Sequence, residues 1–335
     1  MSNSISLLIL AAGLGSRFSG DKQIFAISSL NLPILAFSLQ DAVKNEIAHA
    51  VILTRSDLAD FFEKNIFPLF PSIRFDLVFQ DRSPSPLPPH RIKPWGTGHA
   101  ALCAKNYIHG HFIVANADDF YGPSAIGEAA LFLRNGGANP CCCIGYPLLH
   151  TLSPNGPVSR GIIQIDGQNF ITSIIEMAKI QRCPGGTITA RVAPENYAIQ
   201  NFPIGPENFT SIDGKNFSQT NFSHSPLAEK ERDLNHSTPI LLQPQQPVSL
   251  NLFGLHASIF PILEQEFQNF FKKNRDSPTA EFGLPTTLTA PHILNKIIAI
   301  KMLPTKDHWL GITYRKDLPH VEDQLNQLIA NGIYA

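Results

Sequence analysis

The sequence has no excess of charge of either sign and no long hydrophobic run. Lysine and arginine total 26 and aspartate and glutamate 27 among 335 residues, so the formal net charge is −1. A balanced charge provides no basic field for a nucleic acid or for an anionic membrane surface. No apolar stretch approaches the ~20 residues that a membrane span needs. These absences favour a globular protein without a nucleic-acid or membrane partner.

Cysteine is also scarce, and the five residues are Cys103, Cys141, Cys142, Cys143 and Cys183. The number is odd, three are adjacent and no C-x-x-C pair occurs, so neither a disulfide framework nor a common zinc site is indicated. We interpret Cys141–Cys143 as small apolar strand residues and all five as reduced thiols. The apolar segment Ile5–Ala12 has no basic region before it, which indicates a buried first strand rather than a secretory signal. A cytoplasmic location is therefore expected.

The segment after this strand, Leu10–Lys22, reads LAAGLGSRFSGDK and indicates a phosphate-binding loop. Gly13 and Gly15 permit a sharp turn whose backbone N–H groups can hold phosphate oxygens. Arg17 and Lys22 add two cations suited to a nucleoside triphosphate. The spacing excludes a Walker loop, and the third glycine of the dinucleotide fingerprint is missing. An ordinary tight turn is the alternative at this point.

Strand-like and helix-like segments alternate over the first third of the chain. Apolar residues recur at helical spacing in Pro33–Lys44, and Ala50–Leu53 is a short apolar run typical of a strand. Further helices are predicted at Ser56–Asn65 and Gly98–Ala104, and further strands at Phe75–Gln80 and His111–Ala115. This β-α-β-α order predicts a mostly parallel sheet whose ligands bind at the carboxyl ends of the strands.

Two adjacent acids, Asp118 and Asp119, come directly after the predicted strand His111–Ala115 and its short continuation. Adjacent carboxylates cannot both be buried without a cation, hydrogen-bond donors or solvent. Mg²⁺ prefers one or two carboxylates together with phosphate oxygens and water, so this position suits a magnesium–nucleotide site. An exposed turn in which an aspartate caps the next helix is the alternative interpretation.

A third segment, Lys93–Ala100, lies between the loop and the acid pair and reads KPWGTGHA. Gly96 and Gly98 would let the backbone approach a nucleobase edge or phosphates. Gln80 and Arg91 are weaker candidates for contacts with a base. Taken alone, the segment is more typical of an ordinary loop that enters a helix.

In this order the three segments resemble the sugar-phosphate nucleotidylyltransferases, also called nucleotide-sugar pyrophosphorylases. The form with Lys22-Gln23 after a Gly-Asp pair is similar to a bacterial subgroup described only as nucleotidyltransferases. The resemblance implies the nucleotide-diphospho-sugar transferase fold, an α/β architecture. In that fold a Rossmann-like, mixed and mainly parallel sheet is flanked by helices, here with an insertion on the sugar side.

The resemblance also implies roles for individual residues. Arg17 and the backbone N–H groups of the loop would bind the β- and γ-phosphates of a nucleoside triphosphate. Lys22 would contact the α-phosphate and the attacking phosphate, and Asp118 would bind Mg²⁺. Arg17, Lys22 and Asp118 are thus the expected catalytic residues. The residues expected to bind the nucleotide are Leu10, Ala11, Ala12, Gly13, Gly15, Ser16, Gln80, Gly96, Thr97 and Gly98.

Three downstream segments resemble the sugar-phosphate side of the family, namely VSRGII at 158–163, IIEMAK at 174–179 and VSLNLFGL at 248–255. The family usually has E-K-P where this chain has Glu-Met-Ala-Lys, so a solvated surface lysine is the alternative for Lys179. The residues implied to bind the sugar phosphate are Asp119, Gly161, Glu176, Lys179 and Asn251.

The closing segment HWLGITY at 308–314 departs from the family. A second metal-binding aspartate often follows W-x there, and Gly311 stands at its position. Either Asp317 or another carboxylate replaces that acid, or Asp118 and the nucleotide hold the ion.

The chain is expected to form one nucleotidyltransferase domain over residues 1–335, which is long enough to bury a large core. Residues 1–135 would bind the nucleotide and residues 136–335 the sugar phosphate. The segment 191–246 is rich in Asn, Pro, Ser and Thr and has few apolar runs. It is therefore predicted to be a partly mobile insertion.

The expected reaction joins a nucleoside triphosphate and a sugar-1-phosphate with Mg²⁺ as cofactor. Such a transfer needs positioning and charge neutralisation, and no convincing Ser/His/Asp or Cys/His nucleophile set is evident. One alternative is a cytidylyltransferase acting on a small alcohol phosphate such as methylerythritol phosphate or phosphocholine. The other is a catalytically silent nucleotide-sugar-binding module. The sequence does not determine the sugar, the base or whether the chain forms a homo-oligomer.

Overall fold

The computed structural model describes residues 4–13, 22–82, 87, 91, 93–137, 139–192, 210–211, 239–294 and 296–334. The predicted site residues Gly15, Ser16 and Arg17 lie outside the described residues, as does most of the predicted insertion at 191–246. The roles assigned to them therefore stay predictions.

The described part of the chain contains sixteen strands and seven α-helices. The strands are β1 (Ile5–Leu10), β2 (Ala26–Ile27), β3 (Leu32–Pro33), β4 (His49–Thr54), β5 (Arg74–Phe79), β6 (His111–Asn116), β7 (Asp119–Phe120), β8 (Cys141–Pro147), β9 (Val158–Ile165), β10 (Ile171–Arg182), β11 (Ile188–Val192), β12 (Thr210–Ser211), β13 (Ile240–Leu242), β14 (Pro247–His256), β15 (Ile300–Pro304) and β16 (Leu310–Gly311). The helices are α1 (Leu35–Lys44), α2 (Ala59–Phe61), α3 (Thr97–Cys103), α4 (Ala125–Asn135), α5 (Phe260–Asn274), α6 (Leu284–Leu288) and α7 (Leu318–Ala330).

Single turns of other helix types complete the secondary structure. The predicted helix at 56–65 is irregular, because α2 is preceded by a 3₁₀ turn and followed by a π-helical turn, Phe62–Ile66. The 3₁₀ turns of the described residues are Lys22–Ile24, Ser56–Leu58, Phe67–Leu69, Gln80–Arg82, Leu148–Thr151, Ala257–Ile259 and Arg315–Asp317.

Four parallel strands form one half of the central sheet in the order β5-β4-β1-β6. All six residues of β1 are buried, as its unbroken apolar sequence ISLLIL predicts for a strand covered on both faces. The predicted α/β fold with a mainly parallel sheet and flanking helices is confirmed. The carboxyl ends of these strands share one edge, where the predicted ligand loops leave the sheet.

β14 connects this half to the remaining strands. Its last residues pair antiparallel with β6, and it also pairs with β8, which runs parallel to β15. Its first residues pair with β9, from which the antiparallel strands β10, β11, β13 and β12 continue. Between Ser249 and Phe253 the register shifts, and Asn251 there has a left-handed φ of +64°. This bulge lets one strand take part in both arms of the sheet.

Alternate residues of β1 pack into apolar clusters on opposite faces of the sheet. Leu7 and Ile9 lie in the cluster that contains Leu39 of α1. Leu8 lies in the other cluster, which contains Leu263 of α5. The two-residue period of the strand thus accounts for helices on both faces.

A third apolar cluster lies beneath the acid pair. Tyr334 packs edge-on against Phe37 of α1 and Phe120 of β7, with ring centroids 5.1 and 5.7 Å away. Its hydroxyl donates to Asp41 Oδ2 at 2.9 Å. The last described residues are therefore attached to α1 and to the strand that begins with Asp119.

The cysteines behave as the sequence predicts. Cys141, Cys142 and Cys143 are buried in β8, and burial raises the pKa of each thiol. All five cysteines are free thiols. Among the described helices, none combines the length and the apolar character that crossing a bilayer requires.

Candidate active site

The predicted site lies where β1 and β6 end. These strands are parallel neighbours, and Leu10 is level with Asn116. The Ala117 N–H donates to the Leu10 carbonyl at 3.1 Å, and the Ala11 N–H donates to the Leu53 carbonyl at 2.6 Å. The segments that follow the two strands therefore leave the sheet side by side, which brings the start of the glycine loop next to the acid pair.

Lys22 and Asp118 form an ion pair across this edge. The lysine Nζ lies 2.7 Å from Oδ2 of the aspartate. The lysine side chain is 12% exposed and the aspartate side chain 36%, so the pair is open to solvent on the acid side. The structure thus brings together two residues that the sequence predicts to be catalytic.

Gln23 pins the described start of the glycine loop. Its Nε2 donates to the Gly13 carbonyl, while its Oε1 is buried with no hydrogen-bond partner among the described residues. The side chains of Leu10, Ala11 and Ala12 are buried in the core, whereas Gly13 is exposed. Any nucleotide contact at the first three positions would therefore come from the backbone.

Asp119 is buried and tied to Asn251 through Asn116. Asn116 Nδ2 donates to Asp119 Oδ2 at 2.8 Å, and Asn251 Nδ2 donates to Asn116 Oδ1 at 2.9 Å. Burial, followed by the charge of Asp118, raises the pKa of Asp119 to about 6, while Lys22 opposes the shift. Oδ1 of Asn251 is buried and has no partner in the described part of the chain. That oxygen is an acceptor suited to a substrate hydroxyl.

Three predicted or neighbouring residues of the sugar side lie in one row across the antiparallel arm. Gly161 of β9 pairs with Glu176 of β10 and with Ser249 of β14. A Cβ at Gly161 would lie 3.4 Å from Glu176 Oε2 and 3.7 Å from Ser249 Cβ. The missing side chain leaves room beside the carboxylate, which suits a ligand that carries hydroxyl groups.

Lys179 lies at a bulge of β10. The register shifts between Met177 and Ile180 on one side of the strand and between Ala178 and Gln181 on the other. Lys179 is exposed and has a φ of +52°. A bulge changes the direction of its side chains, so Lys179 does not simply continue the row of Glu176. Its contact with a phosphate stays a prediction.

The structure explains why no acid stands at residue 311. Gly311 of β16 pairs directly with Asp119 of β7. A Cβ at 311 would overlap the Trp309 ring, so an aspartate requires that ring to move. The suggested replacement, Asp317, accepts four hydrogen bonds, from Ser153, Asn155, Thr313 and Tyr314. Asp317 is therefore a structural carboxylate, which leaves Asp118 and the nucleotide as the proposed ligands of the ion.

The KPWGTGHA segment packs against the backbone of Phe282. The Phe282 N–H donates to the Trp95 carbonyl at 2.6 Å, and the Gly98 N–H donates to the Phe282 carbonyl at 2.8 Å. Gly96 has a φ of +99°, and a Cβ there would lie 2.7 Å from the Phe282 carbonyl oxygen. Thr97 Oγ1 accepts a backbone N–H at the start of α6 at 2.9 Å. These contacts account for both glycines, and nucleotide contacts at 96–98 stay predictions.

Gln80 and Arg91 have different surroundings. Gln80 Nε2 lies 3.2 Å from Nδ1 of His99, and burial lowers the pKa of His99 to about 4, so the neutral ring can accept this hydrogen bond. Arg91 is buried over the Trp95 ring, and its guanidinium donates to four backbone carbonyls, those of Lys93, Pro94, Ser277 and Ala280. Because the fold uses its N–H groups, Arg91 is not available for a base contact, and that expectation is wrong.

A hydrogen-bonded serine, histidine and aspartate occur at the opposite edge of the sheet, which the sequence did not reveal. Ser6 Oγ lies 2.8 Å from His49 Nδ1, and His49 Nε2 lies 2.9 Å from Asp76 Oδ2. Ser6 is buried, and Arg74 also pairs with Asp76 at 2.9 Å. All four residues lie near the amino ends of their strands, away from the acid pair. We interpret the chain as structural.

The acid pair has the donors that Mg²⁺ prefers. In the described ranges, no three His, Cys, Asp or Glu side chains are grouped as a metal centre. Asp118 offers a partly exposed carboxylate with Asp119 beside it, and Mg²⁺ commonly takes one or two carboxylates with phosphate oxygens and water. The residues present fit an ion that arrives with a nucleotide.

Two residues close to the acid pair were missed at the sequence level. Asn116 ends β6 and links Asp119 to Asn251, and the available signal was a polar residue closing an apolar strand. Arg160 precedes Gly161 and is buried. Its signal was a charge inside the otherwise small and apolar segment VSRGII.

Comparison with known proteins gives one sequence relative and several similar structures. No family model matches the chain. The bifunctional protein GlmU of Methanococcus maripaludis is 26% identical over 207 residues, which is 59% of this chain and 41% of that protein. The chain thus covers less than half the length of this curated relative.

The similar structures cover nearly the whole chain. The inositol-1-phosphate CTP transferase from T. maritima has a TM-score of 0.59 at 12% identity, covering 100% of this chain and 99% of its own. A putative glucose-1-phosphate thymidylyltransferase from Bacillus anthracis has a TM-score of 0.57 at 10% identity, covering 96% of both chains. These likenesses show the nucleotide-diphospho-sugar transferase fold. The fold and the sequence relative together confirm the resemblance of this chain to the sugar-phosphate nucleotidyltransferase family.

Proposed function

We propose that this chain is a nucleotidyltransferase that condenses a nucleoside triphosphate with a sugar-1-phosphate to give a nucleotide-sugar and pyrophosphate. The observation that carries the proposal is the Lys22–Asp118 pair, which places a cation 2.7 Å from a carboxylate at the adjoining ends of β1 and β6. Transfer at phosphorus needs both groups, the cation for phosphate oxygens and the carboxylate for a divalent ion.

The proposed reaction is a direct displacement. An oxygen of the acceptor phosphate attacks the α-phosphorus, and the bond from that phosphorus to the pyrophosphate oxygen breaks in line. Both reactants are anions, so Coulomb repulsion opposes their approach. Lys22 can exchange its contact with Asp118 for the phosphate oxygens and so reduce this repulsion. Arg17 and the loop N–H groups are proposed to hold the β- and γ-phosphates of the leaving group.

Asp118 is the proposed ligand of Mg²⁺, with Asp119 next to it. When bound, the ion would supply positive charge to the phosphate oxygens of the two reactants. Asp119 is held by the Asn116 hydrogen bond and is shielded from solvent. A fixed carboxylate behind an exposed one restrains where Asp118 can lie.

The acceptor is proposed to bind beside β9, β10 and the bulge of β14. Glu176 can accept hydrogen bonds from sugar hydroxyls in the space that Gly161 leaves. Asn251 adds its unpartnered Oδ1 from the bulge. Lys179 is the proposed phosphate contact on this side.

The printed activities of the similar structures support the reaction class and leave the substrates open. One is named a CTP transferase for inositol-1-phosphate and the other a thymidylyltransferase for glucose-1-phosphate. They differ in both base and acceptor. A cytidylyltransferase of a small alcohol phosphate is therefore the second candidate, and a silent nucleotide-sugar-binding module is the third.

Pyrophosphate release distinguishes the three candidates. The purified chain is mixed with Mg²⁺, each nucleoside triphosphate and a panel of sugar-1-phosphates and small alcohol phosphates. Release with a sugar-1-phosphate supports the proposal, whereas release only with CTP and an alcohol phosphate supports the cytidylyltransferase. Failure of every pair, with binding of a nucleotide-sugar intact, would favour the silent module.

A further inference from the structure

Two buried arginines of the described chain lie against tryptophan rings, and the fold uses them differently. The guanidinium carbon of Arg91 lies 4.1 Å from the Trp95 ring centroid, and that of Arg160 lies 4.5 Å from the Trp309 ring centroid. Arg91 donates to four backbone carbonyls. Arg160 donates to two, those of Ser159 and Thr151, and its buried Nε has no hydrogen-bond partner in the described ranges. Arg160 is thus held, but its donors are not exhausted.

Trp309 connects Arg160 to the acid pair. The indole directly precedes β16, whose Gly311 pairs with Asp119 at the start of β7. The ring also fills the space that a side chain at 311 would need. Trp309 is therefore confined by the Arg160 guanidinium on one side and by the β16 backbone on the other. A movement of Arg160 would be transmitted to the strand pair β7–β16.

Arg160 belongs at the same time to the acceptor side. It lies on β9 immediately before Gly161 and pairs with Met177 of β10, next to Glu176. Desolvation lowers the pKa of Arg160 to about 10, and Asp119, Glu176 and Asp317 oppose that shift. The guanidinium therefore stays charged between the acid pair and the acceptor carboxylate.

We propose that Arg160, covered by Trp309, is a positioning residue that fixes the strand pair β7–β16 against the strand pair β9–β10. The first pair carries Asp119, and the second carries Gly161 and Glu176. The inference rests on the proposed function, because the acceptor would lie between these two strand pairs. The Arg160–Trp309 stack then sets the distance between the acceptor phosphate and the Lys22–Asp118 pair.

This role predicts a kinetic effect that is specific to the acceptor. Arg160→Lys keeps the charge but loses the planar fork and the stacking face. It should lower kcat/KM for the acceptor by about ten- to hundredfold, since a misplacement of about 1 Å can cost ~100-fold in rate. The KM for the triphosphate should stay within about twofold, because the nucleotide is proposed to bind at the ends of β1 and β6. Trp309→Phe keeps an aromatic face and should show a smaller loss of the same kind.

Amide hydrogen exchange provides a readout that needs no substrate. In Arg160→Lys, the N–H groups of residues 119–120 and 310–311 should exchange at least about tenfold faster, while those of β1 and β4 stay protected. Arg91→Lys is the matched control, since it disturbs the other arginine–tryptophan stack and should leave residues 119–120 and 310–311 unchanged. Trp309→Phe gives a second test, with the same residues affected more weakly, if Arg160→Lys does not fold.

The outcomes separate this inference from the proposed function. If the wild type transfers no nucleotide but the exchange pattern is as described, the proposed function fails and the positioning of the two strand pairs stands. If the wild type is active and Arg160→Lys leaves exchange at 119–120 and 310–311 unchanged, the positioning role is overturned. Equal increases in KM for acceptor and triphosphate would overturn it as well.

Discussion

Lys22 Nζ lies 2.7 Å from Asp118 Oδ2, at the adjoining ends of the parallel strands β1 and β6. The two residues are 96 positions apart in the chain, so strand pairing rather than local sequence creates the contact. Each group compensates the charge of the other. A triphosphate competes for the lysine and a divalent cation for the aspartate, so the pair is the point at which substrate charge is expected to enter the site.

Replacing Lys22 by alanine is expected to reduce kcat by about 100- to 1000-fold, the usual effect of removing one preorganised electrostatic contact. The matched control is Lys64→Ala, which removes an exposed lysine paired with Asp60 and should leave the rate unchanged. Steady-state pyrophosphate release measures both. Near-normal turnover in Lys22→Ala would contradict the role assigned to this lysine.

Replacing Asp118 by asparagine keeps the size of the side chain and removes its negative charge. Asparagine is a weaker ligand of Mg²⁺ than a carboxylate, so the Mg²⁺ concentration for half-maximal rate should rise by about tenfold or more. The same titration on Asp60→Asn, which changes an exposed aspartate, should give the wild-type curve. An unchanged Mg²⁺ requirement in Asp118→Asn would remove Asp118 as the proposed ligand.

Asn251 and Asn169 allow the side chain at the bulge to be tested apart from its backbone. Both have left-handed φ angles, +64° and +63°, but Asn169 is exposed in the turn between β9 and β10. Glycine suits both backbones. Asn251→Gly should raise the KM for the acceptor by about tenfold, the equivalent of one lost hydrogen bond, whereas Asn169→Gly should not. Acceptor kinetics that respond equally to both changes would contradict the contact assigned to Asn251.

Gly96 and Gly137 form a second matched pair, for stability. Their φ angles are +99° and +93°, but a Cβ at Gly96 would lie 2.7 Å from the Phe282 carbonyl oxygen, whereas one at Gly137 would have nothing within 4 Å. Both alanine variants carry the backbone strain, and only Gly96→Ala adds a collision. Its free energy of unfolding in urea should fall by about 1–3 kcal/mol more than that of Gly137→Ala. Equal losses would mean that the Phe282 backbone does not constrain residue 96.

Asp41 should make stability depend on pH. Burial raises its pKa from 3.8 to about 7, while its hydrogen bond from Tyr334 opposes the shift. The folded state therefore keeps a proton that the unfolded state loses within this window, and the free energy of unfolding should fall as the pH rises through it. Asp41→Asn removes this contribution, so it should gain stability relative to the wild type between about pH 4 and pH 7. A difference between the two proteins that stays constant across that range would contradict the buried acid, and the exposed Asp60→Asn is the control.

The parts of the site that the sequence predicted have local signals. The apolar run at 5–10 ends in a glycine loop, and the apolar run at 111–116 ends in two acids, so each predicts a strand followed by a ligand loop. Parallel pairing then places both loops at one edge of the sheet, which brings Lys22 to Asp118. The α/β fold follows from the same alternation of strands and helices.

The parts that could not be predicted depend on contacts with distant segments. Gly96 and Gly98 have the spacing of a ligand loop, but the Phe282 backbone supplies the steric reason for both. Arg91 was interpreted as a base contact, although carbonyls near residues 277–280 take its N–H groups. The acid missing at Gly311 is explained by the Trp309 ring. No local pattern records these neighbours.

The most direct test of nucleotidyl transfer is to follow the α- and γ-phosphates of one triphosphate separately. A triphosphate labelled with radioactive phosphorus at either position is incubated with Mg²⁺, the acceptor phosphate and the wild-type chain or Lys22→Ala. We expect the α-label in the acceptor product and the γ-label in pyrophosphate, with both signals lost in the variant. A γ-label on the acceptor, or an α-label recovered only in free nucleotide, would contradict the account.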